Sequence, residues 1–178
     1  MLHLISVEGK SARTFYLEKQ YVSDFKSLLR TVTSGRVLIV STRFRTDLFY
    51  GSNRAKNKSI LKLWALYANA SLESIKKADY SFTKGDQKAL TKYFEIINQL
   101  ANNWQYYRLY QRAFSNTFSN DPQNHVARTI VQCDHFLIQH PSINRPPLIK
   151  GYEKLDMAHT KDSFALAMYI LNDETHSN

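Results

Sequence analysis

The stretch SDFKSLLRTVTSGRVLIVSTRF, residues 23–44, joins a helical pattern directly to a strand pattern. Its first half places apolar residues at helical spacing, and Ser23 and Gly35 are residue types that begin and end helices. Its second half, RVLIVSTRF, is a short β-branched run of the kind that forms a buried strand. The stretch therefore predicts a fold that mixes helices and strands.

The residues before this stretch add two further strand patterns. MLHLISV and RTFYLEK are rich in β-branched and aromatic residues, and the turn-like EGKSA separates them. The first fifty residues are therefore predicted to form a ββαβ element whose two opening strands make a hairpin.

After residue 50 the apolar spacing becomes helical for most of the chain. Residues 59–78 predict one helix, and Asp86 is predicted to cap a longer one whose apolar seam faces other helices. Asp121 and Pro122 predict a further helix start, and Pro141 marks its end. The seam of the long helix recurs every three or four residues, through Leu90, Tyr93, Ile97, Leu100, Trp104, Tyr107 and Phe114.

The predicted architecture is α+β, with a small N-terminal ββαβ element at residues 1–50 followed by a larger helical bundle at residues 51–178. With 178 residues, 43% of them hydrophobic, the chain is expected to fold as one compact unit. The sequence shows no leader and no apolar run of the roughly 20 residues that cross a bilayer, so a cytoplasmic protein without membrane contact is expected. A single cysteine, Cys133, excludes an internal disulfide and a multi-cysteine zinc module.

Positive charge is concentrated in one part of the chain. The net charge is +9, and residues 36–62 alone hold seven basic residues and one acidic residue. Cations this close together repel one another unless an anionic partner neutralises them. Nucleic acid is the commonest such partner, and an anionic membrane surface or an acidic protein comes second.

Residues 41–62, STRFRTDLFYGSNRAKNKSILK, form the first candidate binding segment because they interleave cations with aromatic rings. Cations attract phosphates, and the faces of rings such as Tyr50 stack on unpaired bases. The alternative is structural: Phe44 and Phe49 have the spacing of core residues in a strand, and the lysines coat a helix start. The candidate nucleic-acid-binding residues of this segment are Arg43, Arg45, Arg54, Lys56, Lys58 and Lys62.

Residues 102–112, NNWQYYRLYQR, form the second candidate segment. Trp104 and Tyr107 are assigned to the core seam, which leaves two tyrosines and two arginines as an exposed ladder. Each pair lies four residues apart, so its members are neighbours on a helix: Tyr106 and Tyr110, Arg108 and Arg112. Such a ladder suits single-stranded nucleic acid, a partner protein or a subunit interface, and the sequence leaves all three open.

Residues 125–141, HVARTIVQCDHFLIQHP, gather unusual side chains on one helix. Imidazole and guanidinium groups without lysine or glutamate suit anion recognition, whereas a solvated face of a bundle is the ordinary alternative. The histidines and Cys133 do not share one face, so no metal site is expected, and Cys133 is predicted to be a small buried hydrophobe. The polar stripe consists of His125, Arg128, Gln132, His135 and Gln139.

Within this helix, RTIVQCDH resembles the Arg-x(4–6)-His motif of HEPN-domain ribonucleases, which are helical bundles. The resemblance implies that dimerisation brings two motifs together and that RNA is cut without a metal. Arg128 would then hold the scissile phosphate, and His135 would assist proton transfer. Thr129 follows the arginine where the family often has Asn, Asp or His.

The leading interpretation is a non-enzymatic protein that binds RNA or single-stranded DNA, as a subunit of a ribonucleoprotein or of a phage or plasmid system. One alternative is a metal-independent endoribonuclease that uses Arg128 and His135, so enzymatic activity is left open. A third class is a protein-interaction or inhibitor module whose basic face meets an acidic partner. No cofactor is expected, and a homodimer or a larger complex remains an option.

Overall fold

The computed structural model describes residues 1–155 and 161–176, and within them the chain is α+β, as predicted. Three single-turn 3-10 helices, Leu72–Ser74, Lys77–Asp79 and Tyr152–Lys154, accompany the regular elements. The regular elements are, in chain order, β1 Leu2–Glu8, α1 Gly9–Thr14, α2 Lys19–Val32, β2 Val37–Ser41, β3 Arg45–Gly51, α3 Asn57–Tyr67, β4 Tyr80–Lys84, α4 Asp86–Leu100, α5 Trp104–Asn120, α6 His125–Leu137 and α7 Lys161–His176.

The chain divides into two compact units, an N-terminal unit of Met1–Ala89 and a C-terminal unit of Leu90–Asn178. This division lies at residue 89, whereas the sequence pattern places one at residue 50. The difference arises because α3 and β4 pack with the elements that precede them, which are β1 to β3, α1 and α2.

The N-terminal unit is built on a four-stranded antiparallel sheet with the order β2-β3-β1-β4. Ile5 lies opposite Leu48 and Phe82, and Leu48 lies opposite Ile39, so these side chains share one face. That face carries the core of the unit, to which α2 contributes Phe25. Burial of these side chains is the main source of the unit's stability.

Trp64 of α3 is the largest side chain in this core and is fully buried. Its indole Nε1 donates a hydrogen bond to the carbonyl oxygen of Phe15 at 2.8 Å, so the polar end of the ring is satisfied. The rings of Phe15 and Phe25 lie 5.8 Å and 6.4 Å from it. Trp64 therefore fixes α3 against the segment that follows α1.

Two predictions made from residues 23–44 are confirmed, since α2 and β2 lie where the pattern placed them. The predicted N-cap is wrong: α2 begins at Lys19 with Glu18 in the cap position, one turn before Ser23. Burial of Phe25 and Leu29 stabilises α2, and the residues before Ser23 continue the same helix back to Lys19.

The predicted N-terminal hairpin is also wrong, because Gly9–Thr14 is a helix and RTFYLEK contains no strand. Gly9 has φ +62°, which turns the chain out of β1. The carboxylate of Asp79 then accepts hydrogen bonds from the Ser11 backbone N–H at 3.1 Å and hydroxyl at 2.8 Å, which lowers its pKa. These contacts outweigh the local β propensity.

The neighbours of β1 are instead β3 and β4. The sequence pattern ended its last N-terminal strand at Phe44, and it predicted no strand between the helix over residues 59–78 and the helix at Asp86. The helix predicted over residues 59–78 ends at Tyr67. Asn69 then takes a left-handed conformation, with φ +50°, and the chain turns towards β4. The charged residues of β3 hid its strand character, since they are buried as an ion pair.

In the C-terminal unit, the predicted long helix is two helices, α4 and α5, separated at residues 101–103. Asn103 caps α5 by accepting a hydrogen bond from the Tyr106 N–H at 3.3 Å. The next helix, α6, begins at His125, after Asn124, whose side chain accepts bonds from two backbone N–H groups. The start predicted at Asp121 is therefore three residues early, and the helix ends at Leu137 rather than at residue 140.

Candidate nucleic-acid interface

Four cations at the start of α3 form an exposed surface, which we call the basic surface: Arg54, Lys56, Lys58 and Lys62. Residues 48–72 contain no aspartate or glutamate. No carboxylate in the described part of the chain forms an ion pair with any of the four. The first turn of α3 also lacks an acidic residue, so the positive end of the helix dipole adds to the same field.

The fold holds this surface outward by burying the opposite side of the segment. Ile60 and Trp64 are fully buried, so Lys58 and Lys62 lie on the exposed side of α3. The Lys56 backbone N–H donates to the Tyr50 hydroxyl at 3.0 Å, which fixes the chain just before the helix. The basic surface is therefore carried by an ordered turn and helix.

Arg45 differs from these four cations because it is only 4% exposed. Its guanidinium binds the carboxylate of Asp47 through Nε and Nη2, both at 2.9 Å, and also contacts Glu8. Ser6 donates its hydroxyl hydrogen bond to the same Asp47 carboxylate at 2.6 Å. Arg45 therefore stabilises the sheet, and we leave it out of the proposed interface.

The remaining members of the first segment are divided between surface and core. Arg43 is exposed, and its guanidinium carbon lies 5.7 Å from the centre of the Tyr16 ring. Phe49 and Tyr50 are fully buried, so neither ring can stack on a base, while Phe44 is half-buried. Phe49 and Tyr50 are therefore core residues. Only the cations of this segment can contribute to a binding surface.

Two residues of α5 have the opposite exposure from the one predicted, Tyr110 of the ladder and Trp104 of the core seam. Tyr110 is fully buried, and its hydroxyl donates to the Tyr93 hydroxyl at 3.3 Å. Trp104, assigned to the core seam, is 52% exposed, and its indole lies 6.0 Å from the guanidinium of Arg108. Tyr110 lies three residues after Tyr107 and four before Phe114, so it shares their buried face, while Trp104 is the first residue of the helix. Tyr106, Arg108 and Arg112 are exposed, as the ladder requires.

On α6 the predicted polar stripe is covered in the middle and exposed at its ends, where His125 and Gln139 lie. Gln132 is buried and accepts a hydrogen bond from the Ser163 hydroxyl at 2.8 Å. The half-buried His135 ring stacks on Tyr152, with centroids 3.9 Å apart and planes 14° apart, and its Nε2 lies 3.0 Å from Gln139. His125 is exposed at the start of the helix.

Tyr152 contacts one residue of the Arg-x6-His motif, His135, through the stacked rings. Burial raises the pKa of the Tyr152 hydroxyl, and the positive charge of Arg128 acts in the opposite direction. His135 therefore has an aromatic neighbour that the motif does not contain. Tyr152 had no signal in the sequence, because it reaches α6 from a later 3-10 helix.

Cys133 is buried, as predicted, and burial raises the pKa of its thiol, which makes it a poor nucleophile. Over the described residues, no three His, Cys, Asp or Glu side chains converge as metal ligands do. Within residues 1–155 and 161–176, no helix is both long and apolar enough to cross a membrane.

No protein-family model, curated protein or solved structure matches this chain. Function is therefore inferred from the geometry and charge of the chain's own surfaces.

Proposed function

We propose that this protein binds RNA or single-stranded DNA through the basic surface. The observation that supports it best is that Arg54, Lys56, Lys58 and Lys62 are all exposed in a stretch without acidic residues, and only the Lys56 ammonium has a bond within the protein, to the Val32 carbonyl oxygen, among the contacts of the described residues. Ordinary protein surfaces intersperse both signs of charge. A phosphate backbone supplies the missing negative charge and releases its counterions on binding.

The two lysines on α3 provide the test of this proposal. We expect Lys58→Ala/Lys62→Ala to lower the affinity for a single strand about ten-fold at low salt. The log–log slope of affinity against salt should also fall by about 1.4, since each phosphate contact on a single strand contributes about 0.7. Fluorescence anisotropy with labelled RNA and DNA across a salt series measures both quantities.

The matched control removes the same charge outside the basic surface. Lys150 and Lys154 are exposed lysines of the C-terminal unit, and Lys150→Ala/Lys154→Ala should change the affinity much less. Equal losses in the two double variants would mean that net charge alone drives binding, and would contradict a defined interface on α3.

A metal-independent ribonuclease is the second candidate function, and the observation that favours it is that Arg128 and His135, both half-buried, lie two turns apart on α6. A guanidinium that holds a phosphate beside an imidazole that transfers a proton suits cleavage at the 2′-hydroxyl. On this interpretation, RNA is cut in EDTA while DNA of the same sequence is only bound.

The histidine variants test this second candidate on denaturing gels. We expect His135→Ala to abolish RNA cleavage while leaving strand binding unchanged, because His135 transfers protons and adds little affinity. His125 is an exposed histidine of the same helix, so His125→Ala is the control, and this variant should cleave RNA normally. Cleavage that survives in His135→Ala, or that is absent from the natural protein, would rule out the motif as an active site.

A further inference from the structure

Trp104 is exposed to an extent that is uncommon for tryptophan, with 52% of its surface accessible at the first residue of α5. The ring of Tyr107 lies 6.1 Å from the indole, with the two planes 27° apart. Tyr107 is itself fully buried and donates its hydroxyl hydrogen to the carbonyl oxygen of Pro146. The exposed indole therefore has a buried aromatic neighbour on the same helix.

The charged residues of α5 are both arginines. Arg108 and Arg112 follow it at four-residue intervals, about 6 Å apart along the helix axis, on the same side of α5. Both are exposed, and residues 96–120 contain no aspartate or glutamate. This side of α5 thus combines one open aromatic ring with cations that no neighbouring acid on the helix neutralises.

We propose that Trp104, Arg108 and Arg112 form a second binding site, which takes an unpaired base of a single strand on the indole and the adjoining phosphates on the two arginines. This Trp104 site rests on the proposed nucleic-acid binding and specifies the ligand further. A base paired in a duplex keeps its faces inside the stack, so only an unpaired base can lie on Trp104. Arg108 already lies over the ring, and an arginine plane can stack on a base or turn its fork to a phosphate.

The combination of an aromatic ring with two positive charges favours a nucleic-acid single strand over the other classes of partner. An apolar protein surface would cover the indole but would leave two arginines without anions. An acidic peptide would pair with the arginines, but it would cover the indole only if it also carried an aromatic side chain at the matching spacing. A single strand answers both parts of the site with one ligand, since each nucleotide carries a base and a phosphate.

The experiment compares three ligands of equal length, about 15 nucleotides, at low salt: a thymidine single strand, a duplex, and a base-free sugar-phosphate strand. Affinity is measured by anisotropy for the natural protein, Trp104→Ala, Trp104→Phe and Leu109→Ala. Leu109 is a control on the same helix with 49% exposure. Tryptophan fluorescence gives a second readout, because Trp104 is exposed and Trp64 is fully buried.

We expect Trp104→Ala to lower the affinity for the thymidine strand about ten-fold and to leave the base-free strand unaffected. Trp104→Phe should retain most of the affinity, since a ring remains, and Leu109→Ala should behave as the natural protein. The thymidine strand should quench the fluorescence of the natural protein, and Trp104→Phe should show no quenching, because Trp64 is shielded.

Three results would overturn the proposal. If Trp104→Ala binds the thymidine strand normally while Lys58→Ala/Lys62→Ala does not, the Trp104 site is wrong and the basic surface stands. The Trp104 site is equally wrong if Trp104→Ala loses as much affinity for the base-free strand as for the thymidine strand. If the natural protein binds none of the three ligands, both proposals fail and an acidic protein becomes the class of partner to seek.

Discussion

Replacement of Asp134 by alanine is expected to lower the free energy of unfolding by about 3–5 kcal/mol, the loss typical when one partner of a buried ion pair is removed. Asp134 and Arg145 are both almost completely buried, and Asp134 Oδ1 lies 2.7 Å from Arg145 Nη2. Without the aspartate, the guanidinium would remain as an uncompensated charge in the interior of the C-terminal unit.

The surroundings of this pair explain why the loss should be large. Asp134 Oδ2 accepts a hydrogen bond from the Leu148 backbone N–H at 2.7 Å, and Arg145 Nε donates to Asn98 Oδ1 at 2.8 Å. Although burial opposes the charge, Asp134 raises the pKa of Arg145. The pair therefore connects α6 to α4 through Arg145, which lies in the segment that follows α6. Burial also raises the pKa of the adjacent Tyr107 hydroxyl to about 12.

Urea unfolding followed by far-UV circular dichroism measures this effect, with two further variants for comparison. Asp134→Asn keeps the shape and an acceptor for Leu148 but removes the charge, so it should lie between alanine and the natural protein. Asp162→Ala, an exposed aspartate in the first turn of α7, should change stability little. A loss below about 1 kcal/mol for Asp134→Ala would match an exposed pair and contradict a structural role for the buried one.

Replacement of Trp64 by alanine is expected to cost about 3–5 kcal/mol of unfolding free energy in the N-terminal unit. The change removes the largest fully buried side chain, and it leaves the Phe15 carbonyl oxygen without its donor. The cavity would open between α3, α2 and the residues that follow α1. Trp64→Phe should cost less, because a ring still fills most of the space.

Leu66→Ala is the matched control on the same helix, because Leu66 is 76% exposed and its truncation should change stability by less than about 0.5 kcal/mol. Far-UV circular dichroism is the appropriate signal, since the substitution removes a fluorophore. Similar midpoints for Trp64→Ala and Leu66→Ala would show that Trp64 does not hold the core together.

The elements that the sequence predicted correctly are those whose signal is local. The helix and strand within residues 23–44 have their own spacing and length, so neighbouring residues suffice to place them. The prediction of a hairpin was wrong because distant residues decide which strands pair. β1 pairs with β3 and β4, and Asp79 binds Ser11, which lies in the helix that follows β1. A strand that buries charge, as β3 does with Arg45 and Asp47, resembles a polar loop in sequence.

The candidate surfaces divide in the same way. Lys58 and Lys62 are exposed because helical spacing around the buried Ile60 and Trp64 decides their direction, and their role in binding stays a prediction. Trp104 was assigned to the core because the seam of α4 was continued through the break at residues 101–103, although Asn103 is a residue type that caps helices. Contacts between distant segments, such as His135 with Tyr152 and Asp134 with Arg145, have no local signal at all.

The sheet order β2-β3-β1-β4 places the first strand of the chain between two strands that come much later. Leu4 pairs with Phe49 on one side and with Thr83 on the other, so nearly the whole N-terminal unit must leave the ribosome before β1 has both neighbours. Such long-range pairing is slow to form, because the intervening chain must be ordered first. During synthesis β1 is an apolar segment without partners, which makes this part of the chain the one most exposed to misassociation before folding is complete.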